Sequence, residues 1–334
     1  MLRYASGAVT RRRAILAVLF FSALLVVSLT SRSRQKSPFI LDPAVWADGG
    51  PSPVERGLSF PDSTHHSRRW GQKVPNIVHF VILAGKDGTS QLSYWQYLSI
   101  RSALVVQRPE VLYIHHDVVP SGPWWDLLLP DVTLNKVIAP TKIWNKPITL
   151  PAHKSDVIRI FALQKLGGIY LDLDVFTIRP LDELMYEPMT MGLEGDRSTS
   201  AGLGNAVILA EPGAVFLQRW LESYRDFRGD AYNYNGIRQS WAIAKAHPDE
   251  IQVLNGHAFF YPTHTQNDLV FGTDQYDWDA HEGYTYHAWA STTWKWVHDL
   301  TPTDVIEKDT SFHRLLRRYM AESDLEVWRR TNET

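Results

Sequence analysis

The chain contains no cysteine in its 334 residues. This absence excludes disulfide bonds, iron–sulfur clusters, thiolate zinc sites and cysteine nucleophiles in one step. It does not exclude a secretory location, because a chain of this length can bury enough apolar surface to fold without covalent cross-links. The length allows one large domain or two ordinary ones.

The chain also lacks a strong charge of either sign. Its 34 basic and 36 acidic residues leave a net charge of -2, so no global field attracts nucleic acid or another polyanion. Aromatic residues are plentiful instead, with 13 Trp and 14 Tyr. A packed core is the simpler explanation for them, but carbohydrate binding also uses aromatic faces, and composition alone does not choose between the two.

One long apolar run covers residues 14–31 and follows Arg11, Arg12 and Arg13. Its length, about 18 residues, is at the short end of what a membrane-spanning helix needs. The apolar region of a cleaved signal peptide, the alternative, is usually roughly 7–15 residues long. We therefore expect a tail over 1–13 and an uncleaved signal anchor over 14–31, with the arginines keeping the N-terminus cytoplasmic and the rest of the chain lumenal.

Residues 32–73 show no sustained apolar periodicity. Pro38, Pro43, Pro51, Pro53 and Pro61 lie there among Gly, Ser and charged residues. This composition is typical of a stem or linker. The folded domain is therefore expected over residues 74–334.

From residue 74 onward, short apolar runs alternate with stretches of helical spacing. Strands are predicted at 77–83, 111–115, 132–138, 205–209, 251–254 and 257–261, and helices at 91–106, 213–227 and 236–246. Strands that alternate with helices predict an α/β fold with a mainly parallel central sheet. Ligands of such sheets bind beyond the carboxyl ends of the strands.

The stretch from 153 to 180 reads as a helix followed by a strand. Ser155 is the expected N-cap of the helix, and Gly167-Gly168 is the expected stop. Within the helix, Asp156 and Arg159 are three residues apart and therefore share one face. They form either an ordinary ion pair or part of a site.

The strand after the Gly-Gly stop carries carboxylates where burial is expected. Its period of two places Tyr170, Asp172 and Asp174 on one face. Buried carboxylates are costly unless they are paired, and hard oxygen ligands suit Mg²⁺ or Mn²⁺. An Asp-x-Asp triplet alone is weak evidence, since Asp277-Trp-Asp279 is a second one. The polar surroundings of that second triplet predict a solvated turn.

The full pattern resembles the sugar-binding signature of glycosyltransferase family 32 and of the glucosyltransferase domains of large clostridial toxins. The matching residues are Ser155, Asp156, Arg159, Leu163, Gly167, Gly168, Tyr170, Asp172 and Asp174. The opening VPNIVHFVI from Val74 is similar to the family's first strand. His287-Ala-Trp289-Ala-Ser-Thr-Thr-Trp294 is similar to its closing His-x-Trp…Ser-Trp element, with Thr293 in place of the usual Ser. The resemblance covers roughly residues 74 to 296.

The resemblance implies a GT-A type α/β fold that binds a nucleotide-sugar with Mn²⁺ or Mg²⁺ and retains anomeric configuration. Carried across, Asp174 would hold the metal and Asp172 would contact sugar or ribose hydroxyls. His287 would be a third metal ligand or a diphosphate contact. The remaining donor-binding residues would be Asp156, Arg159, Tyr170 and Trp294, with Lys295 a further neighbour of the phosphates.

Further roles are expected outside this pattern. Glu194, Asp196 and Asn205 are candidates for the acceptor side, and Asn332 begins a glycosylation sequon. The donor would be GDP-mannose or a UDP-sugar, with mannose the first expectation from family frequency. The acceptor would be a glycan, a glycolipid or a small molecule, and the membrane would be that of the Golgi or another secretory compartment.

Two other functions remain open on the residues alone. A haloacid-dehalogenase-type phosphotransferase also has a strand followed by Asp-x-Asp, with Asp172 as nucleophile and Asp174 as acid–base. That motif normally opens its domain, whereas folded sequence precedes it here. A non-catalytic sugar-binding protein with the same fold is the other alternative.

Overall fold

The computed structural model describes residues 60–61, 69–195 and 201–332. The expected tail, the expected anchor over 14–31 and most of the expected stem lie outside the described residues, as does Asp196. Within the described ranges, no helix combines the length and the apolar character that a membrane crossing requires.

A seven-stranded sheet forms the centre of the domain. Its strands are β1 (Ile77–Ile82), β2 (Val111–His116), β3 (Thr133–Lys136), β6 (Gly168–Leu171), β8 (Met189–Leu193), β9 (Leu203–Ala210) and β10 (Gln252–Leu254). They are arranged in the order β10-β8-β9-β6-β1-β2-β3. All pairs are parallel except the two that involve β9. The predicted α/β fold with a mainly parallel sheet is therefore confirmed.

Two short antiparallel ribbons flank the sheet. One pairs β4 (Lys142–Ile143) with β5 (Lys146–Pro147), and the other pairs β7 (Val175–Thr177) with β11 (Thr285–His287). In the second ribbon His287 lies opposite Val175. This pairing brings the closing segment of the domain to the residue that follows Asp174.

Nine α-helices lie in the described ranges. They are α1 (Tyr94–Ser102), α2 (Pro123–Leu128), α3 (Pro151–Leu166), α4 (Val215–Ser223), α5 (Ser240–Ala246), α6 (Ala290–Val297), α7 (Pro302–Glu307), α8 (Ser311–Arg317) and α9 (Asp324–Asn332). Three π-helical segments add Ala103–Gln107, Tyr234–Gln239 and Asp268–Gly272.

The central strands of the sheet are buried on both faces. Successive residues of β1 alternate between two apolar cores: Val78 and Phe80 pack in one, and Val81 packs in the other. The second core also contains Ile158 and Leu163 of α3. This explains why β1 reads as a continuous apolar run, since a parallel strand covered by helices needs apolar residues on both sides.

Several sequence predictions need correction. Helix α3 begins at Pro151 after the N-cap Leu150, so Ser155 is not its N-cap; Pro at the first helical position already fixes the required backbone angle. Strand β6 ends at Leu171, and residues 172–174 form a turn closed by Val175 N donating to Asp172 O at 3.0 Å. The predicted strand over 257–261 is wrong, because Gly256–Ala258 is a 3₁₀ turn.

The Gly-Gly stop is confirmed and has a steric cause. Gly167 and Gly168 have φ of 66° and 112°, values that side chains with a Cβ rarely adopt. A Cβ on Gly168 would lie 2.5 Å from the Ile77 carbonyl oxygen, and one on Gly167 would lie 2.6 Å from Pro212 Cδ. The turn therefore fixes α3 directly against the start of the strand that leads to Asp172.

Candidate active site

Arg159 joins helix α3 to the turn after β6. Its Nη2 lies 3.0 Å from Asp172 Oδ1 and 3.3 Å from Asp156 Oδ1, and its Nη1 donates to the Asn205 carbonyl at 2.5 Å. The guanidinium also lies 4.3 Å above the centre of the Tyr170 ring. The planar fork of arginine suits several acceptors at once, so the pair predicted on one helical face is part of a larger cluster.

The cluster is buried and its charges depend on one another. Asp156 is 6% exposed and Arg159 is 3% exposed. Burial raises the pKa of Asp156 and the charge of Asp172 adds to this rise, while Arg159 and His153 act in the opposite direction. Burial acts to lower the pKa of Arg159, but Asp172, Tyr170 and Asp156 together raise it. The guanidinium therefore stays charged while two carboxylates compete for it.

Two further side chains orient these carboxylates. Tyr170 donates its hydroxyl to Asp172 Oδ1 at 2.6 Å, and burial raises the pKa of this phenol well above its usual range. Asn205 donates its amide to Asp156 Oδ1 at 2.8 Å. Asp172 and Asp156 are thus held in fixed orientations at the floor of the site.

Asp174 is placed by the β7–β11 ribbon. Its Oδ1 lies 3.2 Å from His287 Nε2, and its Oδ2 accepts the backbone N–H of Ala290 at 2.8 Å. Burial acts to raise the pKa of Asp174, but His287 and the Ala290 N–H outweigh it and lower the pKa. Asp174 is therefore ionised at neutral pH.

The residues present fit a divalent cation. One ligand atom from each of Asp172, Asp174 and His287 lies within 4.8 Å of the others. Two carboxylates and one imidazole are donors that suit Mn²⁺, and Mg²⁺ shares the preference for oxygen. The grouping predicted from the resemblance is therefore brought together by the fold.

A cavity of about 280 Å³ opens beside this cluster. Asp156, Arg159, Asp172, Asp174 and Asn205 line it. Its other walls come from the end of β1, the start of α3 and the segment 232–237. The cavity thus lies beyond the carboxyl ends of β1 and β6, where ligands of open α/β sheets bind.

Other predicted residues lie elsewhere or have no tested role. Trp294, on α6, is 54% exposed and packs its ring against His298, outside the lining of this cavity. Lys295 lies over the Trp296 ring. Glu194 follows β8, and burial raises its pKa. Asn332 is exposed at the end of α9 and donates its amide to the Trp328 carbonyl; its glycosylation stays a prediction.

Sequence reasoning gave no role to three contributors. Tyr232 and Gly236 line the cavity, but Tyr232 precedes any motif or helical pattern and Gly236 is only the first residue of the helix predicted over 236–246. Trp289, next to His287 at a ring distance of 4.2 Å, adopts a left-handed conformation with φ of 54°. That conformation turns the chain so that the Ala290 N–H reaches Asp174, a role that only backbone geometry reveals.

The second Asp-x-Asp triplet, Asp277-Trp-Asp279, is a turn as predicted, with Asp277 Oδ1 accepting the Asp279 N–H at 2.8 Å.

Comparison with known proteins identifies the family. A model described as a glycosyltransferase sugar-binding region containing a DXD motif matches residues 128–190. Glucan organizing enzyme 1 of Cryptococcus neoformans var. grubii is 36% identical over 307 residues, which are 88% of this chain and 83% of that protein. This chain belongs to the family-32 glycosyltransferases with a DXD sugar-binding region. The Asp-x-Asp of that name is Asp172-Leu-Asp174, within the matched range.

Other relatives cover less of the chain or are less similar. Inositol phosphoceramide mannosyltransferase 3 of Schizosaccharomyces pombe is 29% identical over 167 residues, 42% of this chain and 43% of that protein. The solved structure of the glycosyltransferase GlyE from Streptococcus pneumoniae aligns with a TM-score of 0.44 and 10% identity, over 78% of this chain and 64% of that chain. The chain is a glycosyltransferase by its family membership, its mainly parallel sheet agrees with the α/β fold expected from its sequence, and the phosphotransferase alternative has no support.

Proposed function

We propose that this glycosyltransferase transfers a hexose, with mannose as the first expectation, from a nucleotide-sugar to a glycan, glycolipid or small-molecule acceptor. The proposal rests on one observation: Asp156 and Asp172 share the Arg159 guanidinium. This cluster forms the floor of a cavity that Asp174 also lines. The proposal includes retention of anomeric configuration, which rests on the family resemblance.

The floor of the cavity is suited to sugar hydroxyls. Carboxylates accept hydrogen bonds from hydroxyl groups, and a guanidinium donates to them. Because Asp156 and Arg159 are both buried, a hydroxyl that replaces water there finds partners already oriented by Asn205 and Ser155. Such preorganisation lowers the ordering cost of binding and holds the donor for reaction.

Asp172, Asp174 and His287 would hold Mn²⁺ or Mg²⁺. When bound, the ion supplies positive charge that stabilises the leaving nucleoside diphosphate. Asp174 is already ionised for this role, because His287 and the Ala290 N–H favour its charged form. Tyr170 donates its hydroxyl to Asp172 and keeps that carboxylate in place.

Mannose is supported by one relative as well as by family frequency. The Schizosaccharomyces pombe relative is named as a mannosyltransferase acting on inositol phosphoceramide. Its match covers less than half of either chain, and the Cryptococcus relative carries a name that refers to glucan organisation. Mannose is therefore tested first, beside the UDP-sugars.

The decisive experiment is donor hydrolysis. The full-length chain is incubated with Mn²⁺ and GDP-mannose, UDP-glucose, UDP-galactose or UDP-N-acetylglucosamine, with Asp174→Ala as the control. We expect release of a nucleoside diphosphate from one donor, lost in the variant and after chelation. Phosphate release from a generic phosphomonoester without donor preference contradicts the proposal. Donor binding by calorimetry with no turnover supports the sugar-binding alternative, and NMR of a transferred product reports the anomeric configuration.

We also propose a single-pass type II anchor in the Golgi or another secretory membrane, with the catalytic domain lumenal. The support is the apolar run over 14–31 and the arginines that precede it. Alkaline extraction of membranes and N-terminal sequencing test it. A soluble mature protein that begins near residue 31 means that the segment is a cleaved signal peptide.

A further inference from the structure

An exposed tyrosine stands at the mouth of the donor cavity. Four large aromatic side chains in the described ranges are strongly exposed: Trp70, Tyr186, Tyr232 and Trp294. Of these four, Tyr232 is the one that lines the cavity with Asp156, Asp172 and Asp174. It is 63% exposed. An exposed aromatic ring beside convergent polar groups is a typical feature of a ligand-binding site.

The backbone around Tyr232 is held in place. His153 Nε2 donates to the Tyr232 carbonyl at 3.2 Å, and the His153 ring lies 5.9 Å from the Tyr232 ring. The Tyr234 N–H donates to the Ala231 carbonyl at 3.0 Å. Asn235 accepts the Arg228 N–H through its side chain at 2.9 Å. The segment is therefore a prepared surface, so a ligand that binds it does not have to order it.

Tyr232 differs from the donor-binding residues in depth. Asp156 and Arg159 are nearly inaccessible on the floor, whereas Tyr232 exposes most of its surface at the rim. A donor that fills the floor leaves the rim for the molecule that arrives second. Burial of its inner part raises the pKa of the Tyr232 phenol, and the charges of Asp156 and Asp172 raise it further. Its hydroxyl is therefore neutral and able to donate a hydrogen bond.

We propose that Tyr232 is an acceptor-binding residue and that the acceptor presents a sugar ring to it. This inference rests on the proposed function and names the acceptor class for the same site. A sugar ring has an apolar C–H face that matches the flat phenol and hydroxyls that match polar neighbours. Asn233, the next residue in the chain, also lines the cavity and offers an amide to the hydroxyls of such a ring.

The test compares three variants: Tyr232→Ala, Tyr232→Phe and Tyr186→Ala. Tyr186 is an exposed tyrosine that lines a different depression, so it controls for loss of a surface ring. The acceptor probes are methyl α-mannoside, methyl β-glucoside and methyl β-galactoside. Saturation-transfer NMR measures hexoside binding without turnover, and steady-state kinetics measures KM for hexoside and for donor separately.

We expect at least one hexoside to bind, and Tyr232→Ala to raise its KM about tenfold, the size of effect typical of one aromatic contact in a binding site. In the same variant, donor KM should change far less. The hexoside KM of Tyr232→Phe should stay within about threefold of the wild type, because the stacking face remains. The hexoside KM of Tyr186→Ala should match that of the wild type. The proposal is wrong if no hexoside binds, if Tyr232→Ala leaves hexoside binding intact, or if donor KM rises as much as hexoside KM. If the wild type hydrolyses no nucleotide-sugar but binds a hexoside through Tyr232, the proposed function is overturned and Tyr232 belongs to a hexoside-binding site without transfer.

Discussion

Arg159 contacts Asp172 through both terminal nitrogens, with Nη2 at 3.0 Å from Oδ1 and Nη1 at 3.5 Å from Oδ2. The two residues lie on different elements, helix α3 and the turn after β6. The contact therefore fixes the position of the first Asp of the Asp-x-Asp triplet relative to the helix that carries Asp156. Since Asp156 lies 3.3 Å from the same guanidinium, one cation organises both carboxylates of the proposed donor site.

Replacing Arg159 by Lys should impair both stability and donor use. Lysine keeps the charge but cannot reach Asp172, Asp156 and the Asn205 carbonyl together. A lost hydrogen bond to a charged group costs about 1.5–3 kcal/mol, so we expect the unfolding free energy to fall by about 2 kcal/mol and donor hydrolysis to fall at least about tenfold. Chemical unfolding and hydrolysis assays measure these changes.

A matched control is Arg219→Lys. Arg219 also pairs with a carboxylate, that of Glu250 at 2.8 Å, but its side chain is 44% exposed. We expect a change in stability within about 0.5 kcal/mol there. Equal effects at the two positions contradict the central role of Arg159.

Replacing Asp174, the second aspartate of the Asp-x-Asp triplet, should abolish the stabilisation of the protein by Mn²⁺. Asp174→Asn keeps an oxygen that can accept the Ala290 N–H but removes the charge beside His287. With Mn²⁺ at about 100 times its Kd, the wild type should gain about 2.7 kcal/mol of stability, and the variant should gain little. Thermal unfolding with and without Mn²⁺ measures the gain.

The control for the metal experiment is Asp277→Asn, in the second Asp-x-Asp triplet. Asp277 lies in an exposed turn and accepts the Asp279 and Ala280 N–H groups, which an asparagine oxygen can also do. This variant should keep the full response to Mn²⁺. An unchanged response in Asp174→Asn contradicts the assignment of that residue as a metal ligand.

Local pattern was enough to predict that one group of the cavity-lining residues lies together. Asp156, Arg159, Gly167, Gly168 and Asp172 lie close together in sequence, so a helix, a stop and a strand determine their relative positions. The actual link between α3 and Asp172, a direct ion pair, follows from that geometry. The continuous strand to Asp174 was wrong, because a turn at 172–174 replaces it.

The site residues that come from distant parts of the sequence could not be placed by local pattern, because their positions depend on long-range pairing. The position of His287 beside Asp174 depends on the β7–β11 ribbon, whose two strands are three residues each and too short to show periodicity. The resemblance named His287, but no local pattern places it. Tyr232 and Gly236 belong to a turn and a π-helical segment, where side-chain direction depends on tertiary contacts.

Gly236 offers a test of the contact between Asn205 and Asp156. A Cβ on Gly236 would lie 2.7 Å from Asn205 Nδ2 and 3.2 Å from Asp156 Oδ2. Gly236→Ala should therefore push the Asn205 amide away from Asp156. With the loss of a hydrogen bond of about 1 kcal/mol, donor KM should rise about fivefold.

Gly272→Ala is the matched control for this substitution. Gly272 also lies in a π-helical segment, and a Cβ there would be 3.8 Å from Asp268 Cβ, an ordinary contact. Its donor KM should equal that of the wild type. If Gly236→Ala has no more effect on donor KM than Gly272→Ala, the Asn205 contact does not support donor binding.

A directional hydrogen-bond chain crosses three strands to the Gly-Gly stop. The Gly167 carbonyl can only accept, so His79 Nε2, at 2.8 Å, carries a hydrogen. Neutral His79 then accepts through Nδ1 from His115 Nε2 at 3.0 Å, and His115 Nδ1 accepts from the Asn135 amide at 3.0 Å. Both rings are buried, and the chain is complete only while both are neutral.

This chain predicts how stability depends on pH. Burial, with His79 and His116 adding to it, lowers the pKa of His115 well below its usual range. The unfolded chain, where histidine titrates near about 6.5, therefore binds more protons than the folded chain below that pH. The contribution of His115 to stability is present above pH about 6.5 and is lost as the pH falls toward its folded pKa. Burial also lowers the pKa of His281 and of His313 to about 4, which gives the same sign.

Two substitutions at Asn135 separate the pH effect of this hydrogen-bond chain from the effects of His281 and His313. Asn135→Ala removes the donor to His115 Nδ1 and should cost about 1 kcal/mol without changing the sign of the pH dependence. Asn135→Asp replaces the donor by a carboxylate that can only accept, so His115 must be protonated on both nitrogens to keep its bond to His79. The introduced carboxylate favours the charged imidazole and therefore raises the His115 pKa. The contribution of His115 to stability is then present at low pH and lost as the pH rises through the folded value, with a slope of up to about 1.4 kcal/mol per pH unit for one proton. Chemical unfolding at pH 5.5 and 8 measures both variants. The stability deficit of Asn135→Asp relative to the wild type should shrink at pH 5.5, whereas that of Asn135→Ala should not, and parallel behaviour of the two variants contradicts the direction assigned to the chain.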